Sequence, residues 1–372
     1  MCTNSNPRHK VNDLFPILNE KLQGKMNLAR IKLISRLVVA MCVVRHVGLH
    51  KRAMAFGSKA DSLSSMRTIQ RFLAGFKLDL SLIARLVFGM LPERGPCVLS
   101  MDRTNWQFGS FDINALVLAV TYKGVAIPVL FKLLPKRGNS NTDERIAIVD
   151  RFITLFGHEC IDCLVADREF VGERWLEYLN NCRIRYYLRV RNNFWAVVPR
   201  TGERIRVSWL FTGLHHGQSR HMEGIYIVNG QHVYLSAAMG RNSDGKPELM
   251  ILVSFNKPDQ AVAKYKLRWQ IETCFKAMKT SGFNIEDTHL QEIKRIERLF
   301  AVMTIAFVWA YIVGVFKDAQ VKAIRTLKNG RRAFSFFKYG LDEITCYLLK
   351  GMKYSNFDIF KICHVLKSFP TT

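Results

Sequence analysis

Eighteen consecutive residues, Leu299–Phe316 (LFAVMTIAFVWAYIVGVF), carry no charge in a 372-residue chain whose formal charge is +25. A helix over this stretch is apolar on every side and has to be wrapped by apolar material. That material is either lipid, for which eighteen residues is the lower limit of a span, or the interior of a large folded core. The flanking segments read as cytosolic and catalytic, and 49% hydrophobic residues are ample for such a core. The stretch is therefore expected to be a central core helix, with a basic membrane protein anchored by 299–316 as the rival and no membrane partner expected.

The charge calls for a polyanion. Lys and Arg number 55 against 30 Asp and Glu, and the excess runs along the whole chain. Membrane-surface binding usually uses a local basic cluster or a basic amphipathic helix, so the distribution favours nucleic acid. The nine cysteines are odd in number, scattered and mostly embedded in apolar stretches, the pattern of reduced thiols in a cytosol. The first eighteen residues, MCTNSNPRHKVNDLFPIL, contain no uninterrupted apolar run and no small-residue cleavage site, so a place inside the cell is expected.

Residues 1–92 have helical periodicity through Ile31–Val44 and Ile69–Met90, with turn signals at Gly57-Ser58 and Gly75. They are expected to form a basic helical DNA-binding domain. Within it, 62–76 sets Arg67, Gln70 and Arg71 beside Ile69, Phe72 and Leu73, which suits a DNA-reading helix and an ordinary amphipathic one equally. From Pro96 the texture becomes β-rich, with a hairpin turn at Tyr122-Lys123-Gly124. A helix at about 142–156 follows, capped by Thr142 or Asn141, then the strand IDCLVAD, the helix VGERWLEYLNN and the strand RIRYYLRVR. The order β-β-β-α-β-α-β over 96–191 matches that of an RNase H-like fold. Short strands and polar turns over 192–256 read as a β-rich insertion, with a hairpin at Asn229-Gly230. The core is expected to resume over 257–318, and 319–372 to form a basic helical C-terminal region. The fold class is thus α/β, a mixed sheet flanked by helices.

In a basic chain with few acids, Asp102, Asp167 and Glu272 stand out by position. Asp102 ends the apolar run Cys97–Met101 and Asp167 ends Ile161–Ala166, so parallel pairing of these strands would bring the carboxylates together. Either Asp could instead cap the helix that follows. The segment KYKLRWQIETCFKAMK places Tyr265, Arg268, Glu272 and Lys279 within roughly a 60° arc at about 100° per residue, beside an apolar stripe of Leu267, Ile271, Cys274 and Met278. One acid among cations on that arc fits a metal-holding carboxylate beside phosphate-binding groups, whereas an Arg268–Glu272 pair at i,i+4 is the plainer reading. Metal-dependent phosphodiester cleavage commonly uses two divalent cations about 4 Å apart, and hard cations take carboxylate oxygens.

The spacing Tyr265-x2-Arg268-x3-Glu272-x6-Lys279 resembles the Y-R-E-K signature of cut-and-paste transposases of the insertion sequence 4 family, the DDE class on an RNase H-like fold. MDRTNW at 101–106 and ADREF at 166–170 resemble that family's first and second Asp motifs, and the likeness in layout spans about 96–345. The resemblance implies that Asp102, Asp167 and Glu272 are catalytic and hold two Mg²⁺ or Mn²⁺ ions. It implies that Tyr265, Arg268 and Lys279 contact phosphates at the transposon end, and that Arg189 and Arg191 lie in a stretch contacting terminal DNA. It further implies binding to double-stranded terminal inverted repeats and target DNA, a 3′-OH that closes a hairpin before joining, synaptic homodimers cleaving in trans, and a bacterial cytoplasm at the nucleoid.

Trp195 and Trp209 lie in the insertion, where some members of that family hold a flipped base. Their sequence context instead favours packing of the insertion's own sheet. The basic, aromatic segment Lys328–Lys338, including Arg331 and Arg332, reads as a further phosphate-tracking surface. Cys160-x2-Cys163 lacks a second ligand pair, and His215, His216 and His221 lie in a Gly- and Ser-rich turn, so no zinc site is expected. The rival functions are a DNA-binding relative without catalysis and an RNase H-like nuclease that cuts without joining.

Overall fold

The computed structural model describes residues 14–56, 61–91, 95–242, 244–328 and 330–350. The turn signal at Gly57-Ser58 and the last part of the C-terminal region lie outside them. The described residues divide into two compact units. One is helical and takes in those of Met1–Glu93, Trp106–Ile113 and Phe275–Thr372. The other is built on a sheet and takes in those of Arg94–Asn105 and Asn114–Cys274.

The sheet carries ten strands: β1 (Cys97–Phe108), β2 (Phe111–Tyr122), β3 (Val125–Leu134), β4 (Ile161–Ala166), β5 (Tyr186–Val190), β6 (Trp195–Val197), β7 (Arg204–Arg206), β8 (Ser219–Val228), β9 (Gln231–Arg241) and β10 (Pro247–Ser254). Their order across it is β3-β2-β1-β4-β5-β10-β9-β8-β6-β7. The first five follow the order of elements read from the sequence, a meander followed by strands pairing parallel, β1 with β4 and β4 with β5. Local chemistry fixes the corners. Lys123 and Gly124 both have positive φ between β2 and β3, as do Asn229 and Gly230 between β8 and β9, as expected of two-residue hairpin turns. Helix α6 (Thr142–Phe156) starts at Asn141, whose side chain accepts the Glu144 amide while Glu144 accepts the Asn141 amide. A second helix, α7 (Glu173–Asn181), links β4 to β5.

The strands of 192–256 do not form a sheet of their own. β10 pairs antiparallel with β5, Ile251 opposite Val190 through Ser254 opposite Tyr187, and β9, β8, β6 and β7 extend the same sheet outward. This covers the far edge of β5, which would otherwise present a row of unpaired backbone groups. Helix α8 (Ala261–Tyr265) lays Ala261 and Tyr265 on the sheet against Val98, Cys163, Val165, Tyr187 and Leu252.

The helical unit contains α1 (Phe15–Leu22), α2 (Leu28–Val44), α3 (Leu49–Met54), α4 (Ser62–Gly75), α5 (Leu80–Gly89), α10 (Ile293–Gln320) and α11 (Phe336–Lys350). Helix α9 (Gln270–Lys279) begins in the sheet-built unit and ends in the helical one. α10 holds the charge-free stretch, and every residue from Leu299 to Gly314 is buried. It is long and apolar enough to cross a membrane by length and composition, and here it is enclosed by protein. On α4, Ile69, Phe72 and Leu73 face inward while Arg67, Gln70 and Arg71 are exposed.

Two glycines let α10 and α11 meet. A Cβ on Gly314 would lie 1.8 Å from the Phe336 carbonyl oxygen, and one on Gly340 would lie 1.9 Å from that of Ala310. Backbone cannot yield as a flexible side chain can, so a methyl group there forces the helices apart. Gly314→Ala and Gly340→Ala are each expected to lower stability by about 3 kcal/mol or more, at the upper end for overpacking. Chemical denaturation measures this, and an unchanged midpoint for both would contradict the close crossing.

Candidate active site

β1 and β4 pair with Met101 opposite Ala166, so Asp102 and Asp167 are the next residues along neighbouring strands, whose usual separation is about 4.8 Å. Asp167 follows the end of β4, whereas β1 does not end at Asp102 as its apolar run suggests but continues to Phe108. The burial of Leu99, Met101, Leu164 and Val165 pins that register. Each carboxylate turns back on its own chain: Asp102 Oδ1 accepts the Arg103 amide at 2.7 Å and Asp167 Oδ1 the Arg168 amide at 2.8 Å. The Asp102 carboxyl is pushed up to about 6. Burial is the main cause and the Glu169 and Asp167 carboxylates add to it, while the Arg103 amide and the Arg268 guanidinium oppose it.

The segment from Tyr265 to Lys279 is not one uninterrupted α-helix. A 3₁₀ turn, Lys266–Trp269, separates α8 from α9. In a 3₁₀ turn residues i and i+3 eclipse one another, which sets Arg268 over Tyr265, the guanidinium carbon 5.7 Å from the ring centre. The Tyr265 hydroxyl donates to Asp167 Oδ1 at 3.3 Å. Arg268, 5% exposed, donates to Asp102 Oδ2 at 3.4 Å and to Glu272 Oε1 at 2.7 Å. Ile271, Cys274 and Met278 are buried and Leu267 packs against the sheet cluster, so the apolar stripe docks as its spacing suggests.

Asp102, Asp167 and Glu272 thus belong to one hydrogen-bonded group with Tyr265 and Arg268. Their oxygens are the hard donors that Mg²⁺ or Mn²⁺ takes, and in chemistry the set fits such a cation. In this geometry the positive charge between Asp102 and Glu272 is the Arg268 guanidinium. Among the described residues no three His, Cys, Asp or Glu side chains converge as a metal-holding group. Closing the set around a cation therefore requires Glu272, whose side chain is 58% exposed, to turn from Arg268.

A second pair supports the first, and sequence reasoning missed it. Arg103 binds Glu169 through both its Nε and Nη2, at 2.6 and 2.8 Å, and also reaches the Asn114 and Asn139 side chains and the Gly138 carbonyl. The signal was present: Arg103 follows Asp102 and Glu169 lies two beyond Asp167, so strands that align the two Asp also align these. A bidentate guanidinium–carboxylate pair ties β1 to the turn that follows Asp167.

The other expected contacts are distributed. Arg189 on β5 is engaged by Glu248. Arg191 is exposed and lines a cavity of about 530 Å³ with Trp195. Trp195 and Trp209 do not pack the sheet interior; they are 42% and 58% exposed, and Trp195 is flanked by the Arg204 and Arg206 guanidinium groups, each 5.3 Å from its ring centre. β6 and the edge strand β7 are three residues each; β6 buries Ala196 alone and β7 buries none, which leaves the tryptophan outside. In the helical unit, Lys279 ends α9 and pairs with Glu286 at 3.0 Å, Arg331 is exposed, and Arg332 covers the Phe336 ring.

The Asp102 shift fixes a pH dependence for the metal-free chain. The folded state holds a proton up to about pH 6 that the unfolded chain gives up near 3.8, so this group lowers stability progressively across that window and fully above it. Asp102→Asn removes the penalty. Its gain over wild type in EDTA is expected to be absent near pH 4 and to reach roughly 2–3 kcal/mol by pH 7. A gain independent of pH in denaturation measurements would contradict the assignment.

The family model described as the transposase DDE domain matches residues 93–309. No curated protein matches the chain. Among solved structures, it is similar to that titled cryo-EM structure of piggyBac transposase synaptic complex with hairpin DNA, at 10% identity and a TM-score of 0.45, with 98% of this chain and 83% of that chain covered. With the match running through more than half its length, the chain belongs to the transposase DDE domain family.

Proposed function

We propose that this protein is an insertion-sequence DNA transposase of the insertion sequence 4 type, with Asp102, Asp167 and Glu272 as its catalytic carboxylates. The observation that carries this reading is the pairing of β1 with β4, which sets Asp102 beside Asp167, with Arg268 joining Asp102 to Glu272. Its substrates are the double-stranded terminal inverted repeats of its element and a target duplex. The reaction is phosphodiester hydrolysis that frees a 3′-OH, closure and reopening of a hairpin on the element end, and joining to the target. The acting species is a homodimer in the synaptic complex, in a bacterial cytoplasm at the nucleoid.

Two Mg²⁺ or Mn²⁺ ions held by the three carboxylates would supply activation of the attacking oxygen and stabilisation of the leaving one. The chain's own groups prepare for this. Backbone amides and the Tyr265 hydroxyl hold the two Asp oriented. Arg103 with Glu169 ties β1, which carries Asp102, to the turn that follows Asp167. Arg268 keeps a cation beside the carboxylates, where a DNA phosphate is drawn, and Lys279, Arg189, Arg191, Arg331 and Arg332 extend the phosphate contacts. The charge of +25 supplies sequence-independent affinity that weakens with salt.

The test is incubation of purified protein with a labelled duplex bearing the element's terminal repeat and Mg²⁺. Wild type is expected to give nicked, hairpinned and joined products. Glu272→Ala is expected to lose about 10³-fold or more in cleavage rate while keeping duplex affinity within a few fold. Binding without product in both Mg²⁺ and Mn²⁺ would overturn the catalytic reading, and cleavage without joined product would reduce it to a nuclease.

A further inference from the structure

The helical unit encloses a cavity of about 670 Å³ that the carboxylate chemistry does not use. Its walls come from the segment leading into α3, from α4, and from residues 287–295. Arg52 on α3 is 2% exposed, and its Nε has no hydrogen-bond partner among the described residues. Among the described residues no carboxylate pairs with it; burial is the cause of its shift, to about 10, which leaves the group charged at neutral pH. A buried charge without a counter-charge is strongly unfavourable, and such groups are normally paired or hold a ligand.

The remaining wall does not supply that counter-charge. The acidic residue lining the cavity is Asp287, with a 60% exposed side chain, and His46 holds it through Nε2 at 3.0 Å. His46 Nδ1 accepts the Gly48 amide at 2.8 Å, so Nε2 is the nitrogen that carries the proton and donates. Arg295 is occupied by Glu292. Lys51 adds a second cation to the wall, and Leu49, Met66 and Leu73 give it an apolar side.

The geometry points to a phosphate-ester site in this cavity, in which the anion pairs with Arg52 and Lys51 and the organic part lies against the apolar side. A backbone phosphate of bound DNA and a free nucleotide share that chemistry. Gln70 lines the cavity from α4, the helix whose Arg67 and Arg71 are exposed, so DNA has a route to it. The site does not depend on cleavage, and its binding is measurable without divalent metal.

The experiment uses the full chain in EDTA at constant ionic strength, with dAMP and a generic 20-base-pair duplex as probes. Wild type is expected to show a saturable rise in melting temperature with dAMP beyond that given by chloride. Arg52→Met, an apolar replacement of similar length, is expected to weaken dAMP at least tenfold. If that variant does not fold, Met66→Trp, which narrows the cavity and leaves the cation intact, is expected to give the same loss. A DNA phosphate as the natural occupant requires Arg52→Met also to weaken the duplex and to reduce its salt slope by about one. A free phosphate ester requires duplex affinity to stay unchanged while dAMP binding is lost. The proposal is overturned if dAMP has no effect on wild type beyond chloride, or binds wild type and the folded variant equally.

Discussion

Parallel pairing of β1 with β4 is the contact on which the site depends. Both strands are buried on both faces, and a slip of one residue would turn every side chain of one strand to the opposite face, undoing the packing of Leu99, Met101, Leu164 and Val165. The same register that protects the core sets two carboxylates beside each other. Placing Asp102 there is unfavourable, chiefly because burial strips its carboxylate of water and further because Glu169 and Asp167 lie near, and its carboxyl is raised accordingly. The surrounding groups offset it: backbone amides at each Asp, a tyrosine hydroxyl on Asp167, and a guanidinium shared between Asp102 and Glu272. A cluster of acids that needs cations nearby is suited to chemistry on a polyanion in which cations take part.

Arginines carry several of these balances, each in a different way. Arg103 is saturated by Glu169 and its neighbours and acts as a clamp. Arg268 is shared between two acids of the candidate site and is nearly buried, so its charge is tied to the state of those acids. Arg298 is spent within the helical unit, donating to the Leu73 and Phe76 carbonyls at the end of α4, where helix carbonyls lack partners. Arg52, almost fully buried, has an Nε without a hydrogen-bond partner and no ion pair among the described residues, and this singles out its cavity.

Much of this was legible because it is local. Apolar runs ending in Asp, hairpins at Lys123-Gly124 and Asn229-Gly230, and the Asn141–Glu144 cap are each decided by a few adjacent residues. The charge-free Leu299–Phe316 segment required an apolar enclosure, and burial from Leu299 to Gly314 supplies it. What was illegible is tertiary. Nothing near β10 states that it pairs with β5 across about sixty residues, so the β-rich stretch 192–256 is legible as strands and turns but not as a continuation of the core sheet. The 3₁₀ turn at Lys266–Trp269 has no Pro or Gly to announce it. Helical spacing placed Arg268 and Glu272 on one face and could not show that Asp102 takes part of the same guanidinium.

The central claim is that Asp102, Asp167 and Glu272 converge on divalent metal. Mapping with Fe²⁺ in place of Mg²⁺ tests it directly, since ascorbate then generates hydroxyl radicals that cut the polypeptide close to the bound ion. The account predicts cuts within β1 around Asp102, just beyond β4, and in the first turn of α9, suppressed by excess Mg²⁺ and lost in Asp167→Asn. Cuts confined to other segments, or a pattern unchanged by Asp167→Asn, would contradict it.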